Sequence, residues 1–266
     1  MRLIIAAALA ATALTACSSE PEVVAEEAPA YSARQYASAV NDIARTEEDR
    51  AADANRQPGE LLAFAQIDKG EVVGDYFMGG GYVTRLLAMA VGSNGKVYAF
   101  QPAEFIALYP GLAEDQDAAV APYSDDQGNP VHVFPLRGPA AEPGFPEPLD
   151  TIITVMNYHD LFLPSFPDGT AAAASKALFD ALKPGGTLVV ADHLAADGAG
   201  AEAADSVHRM DKALALETLE AAGFVLEEES DLYARPDDPR DASVFDESIR
   251  GRTDQFLWRL RKPESP

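Results

Sequence analysis

From Val72 onward the chain alternates short runs rich in β-branched and aromatic residues with stretches of helical periodicity, and this alternation constrains the fold more than any other feature. The runs are Val72–Tyr76, Lys96–Gln101, Val131–Leu136, Asp150–Met156, Thr187–His193, Phe224–Glu229 and Gln255–Arg261. Strands alternating with helices at this spacing read as βαβ units, so the pattern predicts an α/β domain: a seven-stranded, Rossmann-like, mostly parallel sheet with helices on both faces. Val83, Leu86, Leu87, Ala90 and Val91 share one face of the first crossover helix, and Met210, Leu214 and Leu219 mark another. Lys183-Pro184-Gly185-Gly186 stops the helix before the fifth strand. Between the last two strands, Leu232 to Arg252 is rich in Pro and Asp and has no helical period. A strand reached without a crossover helix can lie antiparallel to its neighbour, so the last strand is expected to be reversed. Along it, Phe256, Trp258 and Leu260 should pack one way and Leu257 the other.

The N-terminal segment speaks to address. Arg2 precedes an apolar run, Leu3 to Ala13, that closes on Leu14-Thr15-Ala16-Cys17. That is a secretory signal, too short to span a bilayer as a helix of about 20 residues. Its end resembles the bacterial lipobox, which implies cleavage before Cys17, acylation of its thiol and a membrane partner through that lipid. The expected organisation is a signal peptide at 1–16, a lipidated N-terminus and flexible acidic linker at 17–31, and a folded body at 32–266. The expected location is the cell envelope, facing the periplasm. Ser18 after the cysteine resembles outer-membrane sorting. Cys17 is the only cysteine, so no disulfide can staple the body and an apolar core must hold it. A formal charge of −23 repels phosphate backbones and argues against nucleic acid as a partner. In the body, Tyr36, Val40 and Ile43 predict an amphipathic helix reaching Arg50, Glu60 to Ile67 predicts a second short helix, and acidic Glu114 to Asn129 reads as a loop over a cleft.

The first strand and its loop, Val72 to Arg85, carry the most chemistry. A strand ending in Asp75, then Gly79-Gly80-Gly81, then a helix, presents backbone N–H groups at the carboxyl edge of the sheet, where open α/β sheets bind ligands. A dinucleotide G-x-G-x-x-G pattern starting at Gly79 would need glycine where Thr84 stands, and an acidic ribose partner near Gln101, so NAD and FAD do not fit. Of the four histidines, His159 and His193 follow or close strands four and five and His208 comes shortly before a helix, while His132 lies in the third strand. Parallel strands bring His159, His193 and His208 to that same edge, together with Asn157, Asp160, Asp192 and Asp211. Imidazoles beside carboxylates suit acid/base work. They are also ordinary ligands for zinc or iron(II), although no His-x-His or H-E-x-x-H spacing sets a local metal geometry, and the favoured reading assigns no metal.

The loop resembles motif I of class I S-adenosylmethionine-dependent methyltransferases, an acid followed by Gly-x-Gly-x-Gly, with Asp75 at the acid and Phe77 in place of the first glycine. The stretch from Asp49 to Pro263 also resembles a bacterial family of predicted, often exported, methyltransferases. The residues that carry the likeness are Gly79 to Arg85, Asn157 to Asp160, Asp192-His193, His208 to Asp211 and Arg252 to Phe256. The resemblance implies S-adenosylmethionine as methyl donor, bound by Asp75, Gly79, Gly80, Gly81, Gln101 and Asn157. It places His159, Asp160, His193, His208 and Asp211 on the catalytic side, with His159 as base, and a small molecule as acceptor. Gln101 stands where the family's second strand ends in a ribose-binding acid, and Glu104 is the nearest carboxylate to replace it. Arg250, Arg252 and Asp254 read as a surface ion-pair cluster or, alternatively, as a lid onto the acceptor pocket. Two other readings stay open: an inactive ligand-binding descendant of the fold, and a metal-dependent enzyme built on the histidines.

Overall fold

The computed structural model describes residues 31–264. The expected signal peptide, Cys17 and all of the linker before Tyr31 lie outside the described residues. No helix among the described residues is long and apolar enough to cross a membrane.

Seven strands, β1 (Val72–Tyr76), β2 (Lys96–Pro102), β3 (Val133–Gly138), β4 (Leu149–Val155), β5 (Leu182–His193), β6 (Val225–Ser230) and β7 (Gln255–Arg261), form one sheet in the order β3-β2-β1-β4-β5-β7-β6. All pairings are parallel except those of β7, which runs antiparallel to both β5 and β6. The sheet is that of class I methyltransferases, as expected. The α-helices are α1 (Ala37–Val40), α2 (Glu47–Arg56), α3 (Pro58–Ala65), α4 (Tyr82–Val91), α5 (Ala103–Leu108), α6 (Gly111–Val120), α7 (Thr170–Ala181), α8 (Glu202–Val207) and α9 (Lys212–Ala222).

Side-chain alternation along each strand divides the core in two. Val73, Val97, Ala99, Ile153, Val189 and Leu257 meet α3, α4 and α6 on one face. On the other, Tyr76, Phe100, Ile152, Val190 and Trp258 meet α7 and α9. The split of Leu257 from Phe256, Trp258 and Leu260 is the one the alternation predicts.

Four details differ from the sequence reading. The helix expected from Tyr36 to Arg50 is interrupted: a side-chain capping box between Thr46 and Asp49 starts α2 afresh, and Ile43 is left 96% exposed in the connection. The acidic segment expected as a loop from Glu114 to Asn129 is helical as far as Val120, where α6 buries Gln116, Ala119 and Val120 against the sheet, and only its second half is turn. Met210 precedes α9 and bridges to Leu194. His132 sits just ahead of β3 and is half-buried.

At the opposite edge of the sheet from the site, one Glu71 side-chain oxygen is buried with no hydrogen-bond partner. Burial, opposed by a backbone hydrogen bond and aided by Asp150 and Asp68, pushes its pKa up to about 7. A carboxyl that holds its proton more tightly folded than unfolded favours the native state at low pH, and that contribution is lost as pH rises from the unfolded value towards 7. Glu71→Gln is therefore expected to stabilise the protein by about 1–2 kcal/mol at pH 8 and by much less at pH 5, read from urea unfolding at both. An equal effect at the two pH values would remove Glu71 as the cause.

Candidate active site

At the carboxyl end of β1, Asp75 is buried and accepts a 2.5 Å hydrogen bond from the Thr84 hydroxyl in α4. Burial, countered in part by Thr84 and Arg85, raises its pKa to about 6. The chain then turns through positive φ at Phe77 (64°), Gly79 (53°) and Gly81 (83°). At Gly81 a Cβ would stand 2.5 Å from the Ala119 Cβ, so α4 and α6 can close together only over a glycine. Gly79 and Gly80 are different, since a Cβ there would meet no atom within 4 Å. They border a hollow of about 650 Å³ that Asp75, Met156 and Asn157 share. A second hollow of about 410 Å³ continues past Gly79 and Asn157 to Gln101 and Leu112.

Phe77 does not fill this cleft. Its ring is buried edge-on against Tyr76 and Phe105, 4.9 and 5.2 Å between centroids, and forms part of the wall. A non-glycine residue at φ 64° is strained, by an amount on the order of 1 kcal/mol, and aromatic packing of this kind offsets it. Gln101 accepts from the Gly79 N–H at 3.0 Å through its side-chain oxygen, which leaves its amide NH₂ and one lone pair of that oxygen for a ligand. Glu104 does not replace it, because its carboxylate accepts from the Ala140 N–H.

The outer wall of the cleft is α2, which the sequence reading left without a role. Arg85 donates to both oxygens of Asp49 (2.6 and 2.8 Å) and to the Gly80 carbonyl (2.9 Å), tying α2, the glycine loop and α4 at one guanidinium. Tyr82 donates to Asp53, which also pairs with buried Arg45. The sequence signal was the spacing: Tyr82 and Arg85 fall on one face of α4, as Asp49 and Asp53 do on α2.

Beyond the ends of β4 and β5 the three histidines gather. Asp192 is fully buried and accepts from the His159 backbone N–H (2.6 Å) while bonding the His159 Nδ1 at 2.8 Å. The His159 Nε2 lies 3.3 Å from an Asp160 oxygen, and His208 Nε2 lies 3.7 Å from that same oxygen. Burial opposes charge on His159, but Asp192 and then Asp160 outweigh it and raise its pKa to about 8. Burial raises Asp160 to about 6. His159 is only 1% exposed with a carboxylate at each ring nitrogen, so the expectation that it acts as a general base is corrected: no acceptor can reach it. Asp211 is also corrected. Its two oxygens accept from the backbone N–H groups of Gly200, Ala213 and Leu214, making it the cap of α9, not a partner of the histidines.

His193 stands apart from that sealed group. Its Nδ1 bonds the Thr253 hydroxyl at 2.7 Å, and burial, partly opposed by Asp192, lowers its pKa to about 4. The neutral ring lines a third hollow of about 330 Å³, which shares Ala52, Arg56, Val155 and Met156 with the glycine-loop hollow. Among the described residues Arg56, Arg235 and Arg250 line it and no Asp or Glu does. Its cover is the segment from Leu232 to Arg252. Buried Arg209 holds that cover through both oxygens of Asp238 (2.8 and 3.0 Å) and the carbonyl of Ala242, and it also donates to the carbonyl of Leu194 just after β5. Asp254 holds it through the Arg235 backbone N–H and the Arg240 guanidinium. The ion-pair cluster expected at the surface does not form: Arg250 and Arg252 are exposed, whereas Asp254 is 3% exposed and pairs with Arg240.

No protein-family model matches the chain, and no curated protein matches it in sequence. Solved structures do. A SAM-dependent methyltransferase from Aquifex aeolicus superposes with a TM-score of 0.53 at 19% identity, over 81% of this chain and 95% of that one. The cyclase SpnF gives 0.53 at 16% identity, over 80% and 82%. An arsenic(III) S-adenosylmethionine methyltransferase from Chlamydomonas reinhardtii gives 0.50 at 14%, over 75% and 65%. The chain has the class I methyltransferase fold. At these identities the likeness speaks to architecture alone, and the appearance of a cyclase among these neighbours shows why activity must be argued from the site.

Proposed function

We propose that the protein is an S-adenosylmethionine-dependent methyltransferase acting on a small anionic acceptor, tethered to the cell envelope through a lipid on Cys17. The observation that carries this reading is a pair of hollows with a common wall. One is bordered by the open glycines Gly79 and Gly80, the other by the neutral imidazole of His193, and both are lined by Arg56 and Met156. The first fits the donor, since nothing but solvent space stands where Cβ atoms would be. Gly79, Gly80, Asn157 and the Gln101 amide would hold it, and when bound it supplies an electrophilic methyl group. His193 accepts a hydrogen bond from an acceptor hydroxyl or amine and aligns it with the methyl group, and because its pKa is low the proton passes on to water and is not kept on the ring. Methyl transfer needs alignment above all, so no covalent nucleophile is required. A hollow bearing three arginines and no carboxylate, in a chain of charge −23, favours an anionic acceptor with an apolar body against Val244 and Phe245.

Calorimetry of the full-length chain with S-adenosylmethionine and S-adenosylhomocysteine tests the first hollow, and binding near one per chain is expected. Absence of heat and of any thermal shift at millimolar ligand would reject the methyltransferase reading. The Gln101 oxygen, already accepting from the Gly79 N–H, favours a second reading in which the fold keeps its cleft but binds another ligand without turnover. Incubation with methyl-labelled donor and small carboxylic acids separates the two, since label reaches an acceptor only in the first.

A further inference from the structure

We propose that His159, Asp160 and His208 form a binding site for a divalent transition-metal ion. Three observations carry it. First, the His159 Nε2 and an Asp160 oxygen are both buried, lie 3.3 Å apart, and yet neither has a hydrogen-bond partner. Both atoms therefore keep a lone pair or proton that no protein group satisfies. Ligands about 2.1 Å from an ion at the tetrahedral angle are separated by about 3.4 Å, so the observed spacing is that of a ligand pair. Second, His208 brings its Nε2 to 3.7 Å from the same oxygen, and the three groups offer ligand atoms all within 4.8 Å of one another. His208 does so from a left-handed backbone, φ 58°, immediately after α8. A non-glycine residue held in that region marks a position where the surroundings impose the conformation. Third, the other ring nitrogen of His159 bonds Asp192 at 2.8 Å. A carboxylate behind a ligating imidazole sets its orientation and raises its basicity, which is the usual arrangement at protein metal centres.

Two imidazoles and one carboxylate suit zinc or iron(II). Three protein ligands leave a coordination position open, and His208 is partly exposed, so water can complete the shell. The ion would join the ends of β4 and β5 to the end of α8, one side chain behind His193. The site does not depend on the methyltransferase reading, because none of its ligands lines the glycine-loop hollow.

The test is metal uptake by the full-length chain prepared without a histidine tag. Titration with Zn(II) should saturate at about one equivalent per chain. Substituted Co(II) should give the visible absorption of a nitrogen–oxygen site, without thiolate charge transfer. Asp160→Asn, which preserves shape, and His208→Asn, which tolerates the left-handed backbone, should each weaken Zn(II) at least tenfold. Asp192→Asn should weaken it by about tenfold, while His132→Asn should leave it unchanged. The proposal fails if the wild-type chain takes up no Zn(II), or if Asp160→Asn and His208→Asn bind it as tightly as wild type. In either case the cluster is a buried imidazolium between two carboxylates. The wild-type Co(II) spectrum decides the matter even if a variant does not fold.

Discussion

Arg209→Met is expected to cost about 3–5 kcal/mol, the largest loss of any single substitution outside the apolar core. Arg209 is 0% exposed and its partner Asp238 only 7%, so removing the guanidinium leaves a buried carboxylate facing the carbonyls of Leu194 and Ala242. Asp238 is held below the usual carboxylate range: burial opposes its charge, but the Arg209 hydrogen bond and then the Asp254 and Arg240 backbone N–H groups prevail. Loss of Arg209 also frees the cover from Leu232 to Arg252, so proteolysis in that segment should quicken together with unfolding in guanidinium. The double replacement Arg209→Met with Asp238→Leu should recover part of the loss, because the penalty comes from the unpaired charge and not from the absence of attraction. A single-variant loss below about 1 kcal/mol would mean that water reaches the pair and that the cover is not anchored there.

Arg85→Met is expected to cost about 3 kcal/mol and to weaken binding of the methyl donor at least tenfold. The ion pair with Asp49 is nearly dry, its side chains 7% and 6% exposed, and the same guanidinium holds the Gly80 carbonyl. Unlike Arg209, it joins two elements that both line the glycine-loop hollow, so stability and ligand affinity should fall together. Burial opposes the Asp49 charge, but hydrogen bonds from Arg85 and Thr46 hold its pKa below the usual value. A carboxylate depressed in the native state lends stability above its unfolded pKa and loses it as pH falls through the native one. The difference between wild type and Arg85→Met should therefore narrow in acid. Asp49→Asn should reproduce most of the loss, and the pair of substitutions should be strongly non-additive. Thermal melting across pH, with calorimetry of S-adenosylhomocysteine, measures both effects. Unchanged affinity in a folded Arg85→Met protein would show that α2 is no wall of the donor site.

The two anchors show what most of the motif residues do in this chain. Thr84 and Arg85 hold Asp75 and Asp49. Arg209 and Asp254 hold the cover, and Thr253 holds His193. Most of these residues position others; few face a hollow themselves.

The central strands were legible because a parallel strand buried on both faces reads as a short apolar run rich in β-branched residues and bounded by turn residues. The reversal of β7 was legible because its connection lacks a crossover helix. The break after α1 was missed because Ile43 fits the helical period, and a period cannot reveal that Thr46 offers Asp49 a better start. The helix α6 was missed because its buried face is only Gln116, Ala119 and Val120, too small an apolar stripe to stand out.

What the chain determined by itself was local: strand positions, the glycine turn at the edge of β1, and the convergence of Asn157, His159 and His193 on the carboxyl end of a parallel sheet. Such features follow from period and handedness, which act between near neighbours in sequence. Only the tertiary structure decided which histidine meets solvent. It sealed His159 between Asp160 and Asp192, left His193 on a hollow, and turned Asp211 into a helix cap. The pairing of Asp49 with Arg85 likewise joins residues 36 apart. Burial and long-range ion pairs depend on what is packed on top, and no spacing along a single strand or helix carries that information.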